Sequence, residues 1–159
     1  MTPKHVQLGL TLAVLVIVCD QCSKWWILNE IMRPPRSIPI AEYFNLVLAY
    51  NRGVSFGMLD MPSRMGALIL STVSLAITFG LLVWMWRAEK RLIVIALGLI
   101  AGGAIGNVID RLILGAVVDF LDFHWGGYHW PAFNVADMAI TSGATLIIGD
   151  SFLNTREKS

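Results

Sequence analysis

Residues 102–139 read GGAIGNVIDRLILGAVVDFLDFHWGGYHWPAFNVADMA, closing one apolar segment and opening the next. The first ends in Gly106-Asn107-Val108-Ile109-Asp110-Arg111. Asp119 follows after a short apolar run, and Phe133-Asn134-Val135-Ala136-Asp137 begins the second. Carboxylates at the edge of a hydrocarbon layer are costly and mark function by default. The working expectation is that the rest of the chain holds Asp119 and Asp137 facing each other.

Composition places this stretch in a membrane. Of 159 residues, 56% are hydrophobic and 14% charged, and the mean hydropathy is +0.66. A soluble domain carries about a quarter charged residues. The net charge of +1, with no basic run, excludes a nucleic-acid partner. Apolar segments take up most of the length, so a single integral domain over residues 1–159 is expected. Cys19 and Cys22 form a C-x-x-C pair inside the first apolar segment. A redox pair would sit in a polar, accessible site, so these read as small apolar residues.

Four segments are long enough for the roughly 20 residues that cross a bilayer: about 6–28, 65–86, 92–114 and 133–153. The first has a long apolar run and no small-x-small site after it, which favours an uncleaved span over a signal peptide. Trp25-Trp26 and Trp84/Trp86 mark interfaces at segment ends. Between the first two segments, Pro34, Pro35 and Pro39 forbid continuous helix, and residues 43–50, YFNLVLAY, are rich in β-formers. Asn51-Arg52-Gly53 reads as a turn. The fold expected is therefore all-α and integral to the membrane, with four transmembrane helices and a small extramembrane β-containing region between helices 1 and 2. Gly98, Gly102 and Gly106 recur at i, i+4, i+8, stripping one face of the third helix for close packing. The connection from Gly115 to Pro131 holds Asp119, Asp122, His124 and His129 among aromatics and Gly126-Gly127, and its loop from Leu121 to Trp130 suits a mobile cover over a lipid-bearing substrate. The tail from Asn154 to Ser159 reads as short, charged and mobile.

Four spans put both termini on one side. Lys4, the Arg87–Arg91 cluster, Arg156 and Lys158 share it, which the positive-inside rule makes cytoplasmic. Arg33, Arg36, Arg52 and Arg64 oppose this across a longer connection. On that map Asp20, Lys24, Asn51, Asn107, Asp110, Arg111, Asp119, Asn134 and Asp137 all fall on the other, outer side. Asp150 alone lies at the inner boundary.

The chemistry available is that of carboxylates. His124 and His129 have no thiolate at zinc spacing, so no metal or other cofactor is expected, and no serine sits in a nucleophile elbow. Two aspartates in one low-dielectric site cannot both ionise cheaply, so one keeps a proton. Such a pair activates water with one member and polarises a carbonyl with the other. Asn107 and Asn134 can orient a carboxylate or a substrate amide without adding charge. Blander readings compete. Asp110 beside Arg111 reads as a structural ion pair, Asp20 with Lys24 as an i, i+4 helix pair, and Asp122 and Asp150 as solvated boundary residues. The residues alone leave Asp119 and Asp137 evenly poised between catalysis and structure.

Five boxes occur in order: Asp20-Gln-Cys-Ser-Lys24, Asn51-Arg-Gly-Val-Ser-Phe-Gly57, Gly106-Asn-Val-Ile-Asp-Arg111, Val117-Val-Asp-Phe120 and Phe133-Asn-Val-Ala-Asp137. Together they resemble the lipoprotein signal peptidase family, also called signal peptidase II. The resemblance implies an aspartyl endopeptidase of the bacterial inner membrane and a target of the cyclic peptide globomycin. It would cut diacylglyceryl-modified prolipoproteins just before the lipidated cysteine, acting as a monomer among membrane lipids. By motif position, Asp119 and Asp137 would be the catalytic dyad, and Asn51, Asn107, Arg111 and Asn134 would line the substrate site. Asp20, Lys24, Gly53 and Asp110 would support them. Cys22 is a departure inside the first box. The small residues of the third span could leave room for acyl chains to enter. The competing class is a proton or ion relay, which would place acidic residues at several depths, whereas these cluster on one side.

Overall fold

The computed structural model describes residues 3–53 and 64–156. Among these residues, four α-helices carry a four-stranded sheet. The order is α1 (Pro3–Trp26), a π-helical stretch (Ile27–Ile31), β1 (Ile38–Ala41), β2 (Phe44–Asn51), α2 (Arg64–Arg87), α3 (Arg91–Leu114), β3 (Val117–Trp125), β4 (Tyr128–His129) and α4 (Val135–Arg156). Residues 54–57 of the Asn51–Gly57 box, the rest of that connection to residue 63, and residues 157–159 of the expected tail lie outside the described residues.

Among the described residues, three helical segments are long and apolar enough to cross a membrane: His5–Ile31, Arg64–Arg87 and Arg91–Leu114. Their outer faces are apolar and exposed, as at Val14, Leu15, Ile77 and Phe79, while Trp25, Trp26, Trp84 and Trp86 stand exposed at helix ends. In water such surface would be costly; in lipid it is matched. α4 has the length (22 residues), but it carries Asp137, Asp150 and several hydroxyl residues. Cys19 and Cys22 are free and exposed on α1.

α3 is central, packing against α1, α2 and α4. Its glycines make this possible. A Cβ at Gly98 would lie 2.5 Å from the Gly9 carbonyl oxygen, and one at Gly102 would lie 2.6 Å from that of Ala13. Gly103 meets the Ala136 backbone of α4 in the same way, and Gly143 of α4 meets the Ala96 carbonyl oxygen at 2.5 Å. The glycine face is thus filled by neighbouring backbone at Gly98 and Gly102 and by the Asp20 carboxylate at Gly106. It leaves no room for acyl chains, contrary to the sequence expectation, because stripped faces draw helices together. At one end of the bundle, Val6, Met85, Val94 and Leu97 form a core shared by α1, α2 and α3.

The sheet caps the other end. Its order is β1-β2-β3-β4, all antiparallel. The β-region between helices 1 and 2 is present, but its partner strand β3 lies between α3 and α4, in the stretch expected as loop. β3 and β4 form a hairpin whose two-residue turn, Gly126-Gly127, has φ of 56° and 86°, the positive values that such turns require. Pro39 sits in the edge strand β1, where its missing N–H is tolerated. Val118 and Phe120 of β3 pack on Ile27 and Met32 beyond the end of α1, with Val135 of α4 alongside. Side chains alternate along a strand, so Asp119 points to the opposite face from these two.

Candidate functional site

Each polar residue arrives at the sheet end of the bundle by a local rule. Asp20 and Lys24 lie one turn apart on α1. Asn107, Asp110 and Arg111 occupy the last turns of α3, which stops at Gly115 with φ 75° and its N–H bonded to the Arg111 carbonyl at 3.1 Å. Asn134 caps α4. Its Oδ1 accepts from the Asp137 N–H at 3.0 Å, and the Asp137 carboxylate accepts from the Asn134 N–H at 3.3 Å. This reciprocal box satisfies two otherwise orphaned donors and fixes both side chains. Asp119 enters from β3, paired with Ala49 of β2; Asn51 pairs with Val117, on the same side of the ladder.

The aspartates meet through the asparagines. Asn134 Nδ2 donates to Asp119 Oδ1 at 2.7 Å, and Asn107 Nδ2 donates to Asp137 Oδ1 at 2.9 Å. The two amides are themselves joined, Asn134 Nδ2 to Asn107 Oδ1 at 3.2 Å. Asp119, Asn107 and Asn134 are buried. Burial, then the neighbouring Asp137 carboxylate, pushes the Asp119 carboxyl up to about 7, although the Asn51 and Asn134 amides pull it back. A carboxyl that stays neutral near pH 7 can donate a proton.

Beneath this pair lies a buried ionic layer. Lys24 Nζ stands 2.8 Å from both Asp20 Oδ2 and Asp110 Oδ2, and 3.1 Å from Asn107 Oδ1. Asp20 Oδ1 accepts from the Ala136 N–H at 2.9 Å, and Asp110 Oδ2 from the Val118 N–H at 3.0 Å. The two carboxylates therefore pin α4 and β3 next to the residues that present Asp137 and Asp119. Asp110 pairs with Lys24 rather than with Arg111, because adjacent helical residues point in different directions. Arg111 instead donates to the Gly53 carbonyl at 2.9 Å and the Asn107 carbonyl at 3.3 Å, and Gly53 N–H bonds to Asn51 Oδ1 at 3.0 Å. The expected turn at Asn51-Arg52-Gly53 is this Asx turn.

A cavity of about 120 Å³ opens onto Asp137, lined by Asn51, Ser74, Asn107, Arg111 and Ile140. A larger, mostly apolar groove of about 330 Å³ also reaches this aspartate, along Trp130, Phe133, Met138 and Thr141. All the site residues expected from sequence thus gather at one end, joined directly or through one neighbour. Asp150 stays apart, paired with Lys90 at 3.0 Å at the far end.

Two features escaped the sequence. Gln21 Nε2 bridges Asp20 Oδ2 (3.2 Å) and Asp110 Oδ1 (2.9 Å), and its place in the Asp20–Lys24 box was the available signal. Asp122, expected at a solvated boundary, is buried. Burial pushes it up, but hydrogen bonds from Asn45 and His129, both 2.9 Å, outweigh this and hold it below the ordinary carboxylate range.

Comparison with known proteins bears directly on this arrangement. The model of the family described as signal peptidase (SPase) II matches residues 12–153. The chain belongs to the signal peptidase II family. A lipoprotein signal peptidase of Nitrobacter hamburgensis is 43% identical over 98% of this chain and 96% of that one. Another, from Yersinia enterocolitica, is 41% identical over 94% and 89%. A solved structure described as a bacterial membrane enzyme superposes with a TM-score of 0.83 at 29% identity, covering 95% of this chain and 91% of that one. This chain is a membrane protein of a peptidase family, with a mostly helical fold and a small antiparallel sheet.

Proposed function

We propose that the protein is an aspartic endopeptidase that removes signal peptides from prolipoproteins, with Asp119 and Asp137 as its catalytic pair. The observation that carries this is their convergence. Two carboxyl side chains from different elements, Asp119 buried and Asp137 half-buried, are held by Asn107 and Asn134 in one cluster, and the Asp119 carboxyl is pushed to about 7. In this reading the pair shares one proton. Asp137, whose two oxygens accept N–H donors in the first turn of a helix, acts as the carboxylate, since that position favours negative charge. Asp119 acts as the acid. A water between them loses a proton to Asp137 as it attacks the scissile carbonyl carbon, while Asp119 protonates the carbonyl oxygen. Collapse of the tetrahedral adduct breaks the C–N bond. The proton on Asp137 passes to the departing amine, and the hydroxyl proton of the adduct returns to Asp119.

The substrate in this reading is a diacylglyceryl-modified prolipoprotein, cut just before the lipidated cysteine. Asn51, Asn107, Arg111 and Asn134 line its path, and Asp20, Lys24, Asp110 and Gly53 hold the frame. The chain works as a single domain and a monomer. α4 completes a set of four spans in the bacterial inner membrane, with both termini cytoplasmic and the sheet end on the outer side. Globomycin would occupy the same cleft. Support comes from family membership, the three span-length helices and the gathering of polar residues at one end.

The test is cleavage of a diacylglyceryl-modified prolipoprotein by purified protein in detergent. Asp119→Asn and Asp137→Asn should each lose more than about a hundredfold in turnover while keeping the wild-type unfolding transition. Near-normal turnover by either would displace the dyad.

A further inference from the structure

At the sheet end of α3, beside the aspartate cluster, Arg52, Arg64 and Arg111 line a cleft of about 460 Å³. Its remaining wall is Leu112, Ile113, Leu114 and Gly115. Arg52 and Arg64 are exposed, and no ion pair among the described residues includes either. Arg111 spends its terminal nitrogens on the carbonyls of Asn107 and Gly53, and its buried Nε has no hydrogen-bond partner. The carboxylates whose charge reaches Arg111 are Asp137, Asp119 and Asp110, all on the cluster side. Among the described residues, the cleft lining therefore presents guanidinium groups and no acid. Guanidinium forks bind phosphate oxygens well.

The wall adds a second requirement. Leu112, Ile113 and Leu114 are 55%, 73% and 47% exposed at the end of a span-length helix. A ligand here needs an anionic head and an apolar tail. The lipid of the proposed substrate, a diacylglyceryl thioether, carries no charge and does not account for the two exposed arginines, Arg52 and Arg64. We propose that this cleft binds the phosphate headgroup of an anionic phospholipid, whose acyl chains lie along Leu112–Leu114.

The test titrates the full-length protein in detergent with short-chain phosphatidylglycerol or phosphatidylcholine and counts retained lipids by native mass spectrometry. Saturable retention of one phosphatidylglycerol is expected, with weaker retention of phosphatidylcholine. The double variant Arg52→Gln/Arg64→Gln should hold phosphatidylglycerol on the order of tenfold more weakly, as two interfacial cations warrant. Arg36→Gln, an exposed arginine outside the cleft, should bind as wild type. Equal weakening by the double variant and by Arg36→Gln, or retention that never saturates, would reduce the cleft to general surface attraction and overturn the proposal. Displacement of the lipid by a peptide with a free C-terminal carboxylate, but not by its amide, would assign the cleft to a cleaved signal peptide and overturn it equally. Prolipoprotein turnover is not the readout, so the outcome is independent of the peptidase reading.

Discussion

Lysine–aspartate links join helices at both ends of this molecule, and they are built differently. Lys24 is buried, with Asp20 and Asp110 each 2.8 Å away and Asn107 behind them. Lys90 reaches Asp150 at 3.0 Å with half of its side chain exposed. The same two residue types are present, but water is excluded from one and not from the other. At the exposed link solvent screens the attraction and would replace a lost partner. At the buried one no solvent can, so the layer under Asp119 and Asp137 holds only while all three charges are present.

Breaking each link should expose the difference. Lys24→Met leaves two carboxylates buried together and should cost about 3–5 kcal/mol, read as a collapse of the unfolding midpoint in detergent. A loss under about 1 kcal/mol would mean that water reaches the layer.

The proton on Asp119 comes next. Folded, Asp119 keeps it up to about pH 7, against an ordinary value of 3.8. Its contribution to stability is therefore complete below that ordinary value and is lost as pH rises through about 7. The shift amounts to at most about 4 kcal/mol. Unfolding followed from pH 4 to 9 should show wild type weakening toward the alkaline side and Asp119→Asn weakening less. Turnover should fall over the same alkaline limb, because the acid has lost its proton.

Asn134 separates two roles held by one side chain. Asn134→Ala should cost about 1–2 kcal/mol, the worth of a helix cap, together with turnover. Asn134→Ser keeps a capping oxygen but loses the amide that reaches Asp119, so most of the stability should return without the activity. Smallest of all, Lys90→Met should change stability by less than about 1 kcal/mol, and by less still in high salt. A loss as large as that of Lys24→Met would erase the distinction between the two ends.

What could be seen in the sequence follows from range. The apolar segments, the glycine face and the turn at Asn51 are local patterns, and they appear in the structure at the expected places. β3 is a different case. Val117 to Phe120 are all buried, so the alternation that marks a half-exposed strand is absent, and the run passes for loop between helices. Asp122 looked solvated because its partner Asn45 lies 77 residues away. Asp110 was matched to its neighbour Arg111 because Lys24 approaches it only once α1 and α3 have packed. The polar residues were identifiable as a set; which touches which depended on tertiary packing.

The glycine contacts also decide where the bundle tolerates added bulk. α1, α3 and α4 meet backbone to backbone at Gly98, Gly102, Gly103 and Gly143, where no side chain can swing aside to absorb a shift. Those three helices are therefore fixed in spacing by their backbones rather than by their side chains. In α2, a Cβ at Gly80 would meet nothing within 4 Å, and Leu81, Leu82 and Met85 reach the shared core through flexible side chains. Ser74 of α2 stands on the rim of the small cavity beside Asp137. A methyl added at Gly98, Gly102, Gly103 or Gly143 therefore pries helices apart, whereas one added at Gly80 displaces nothing.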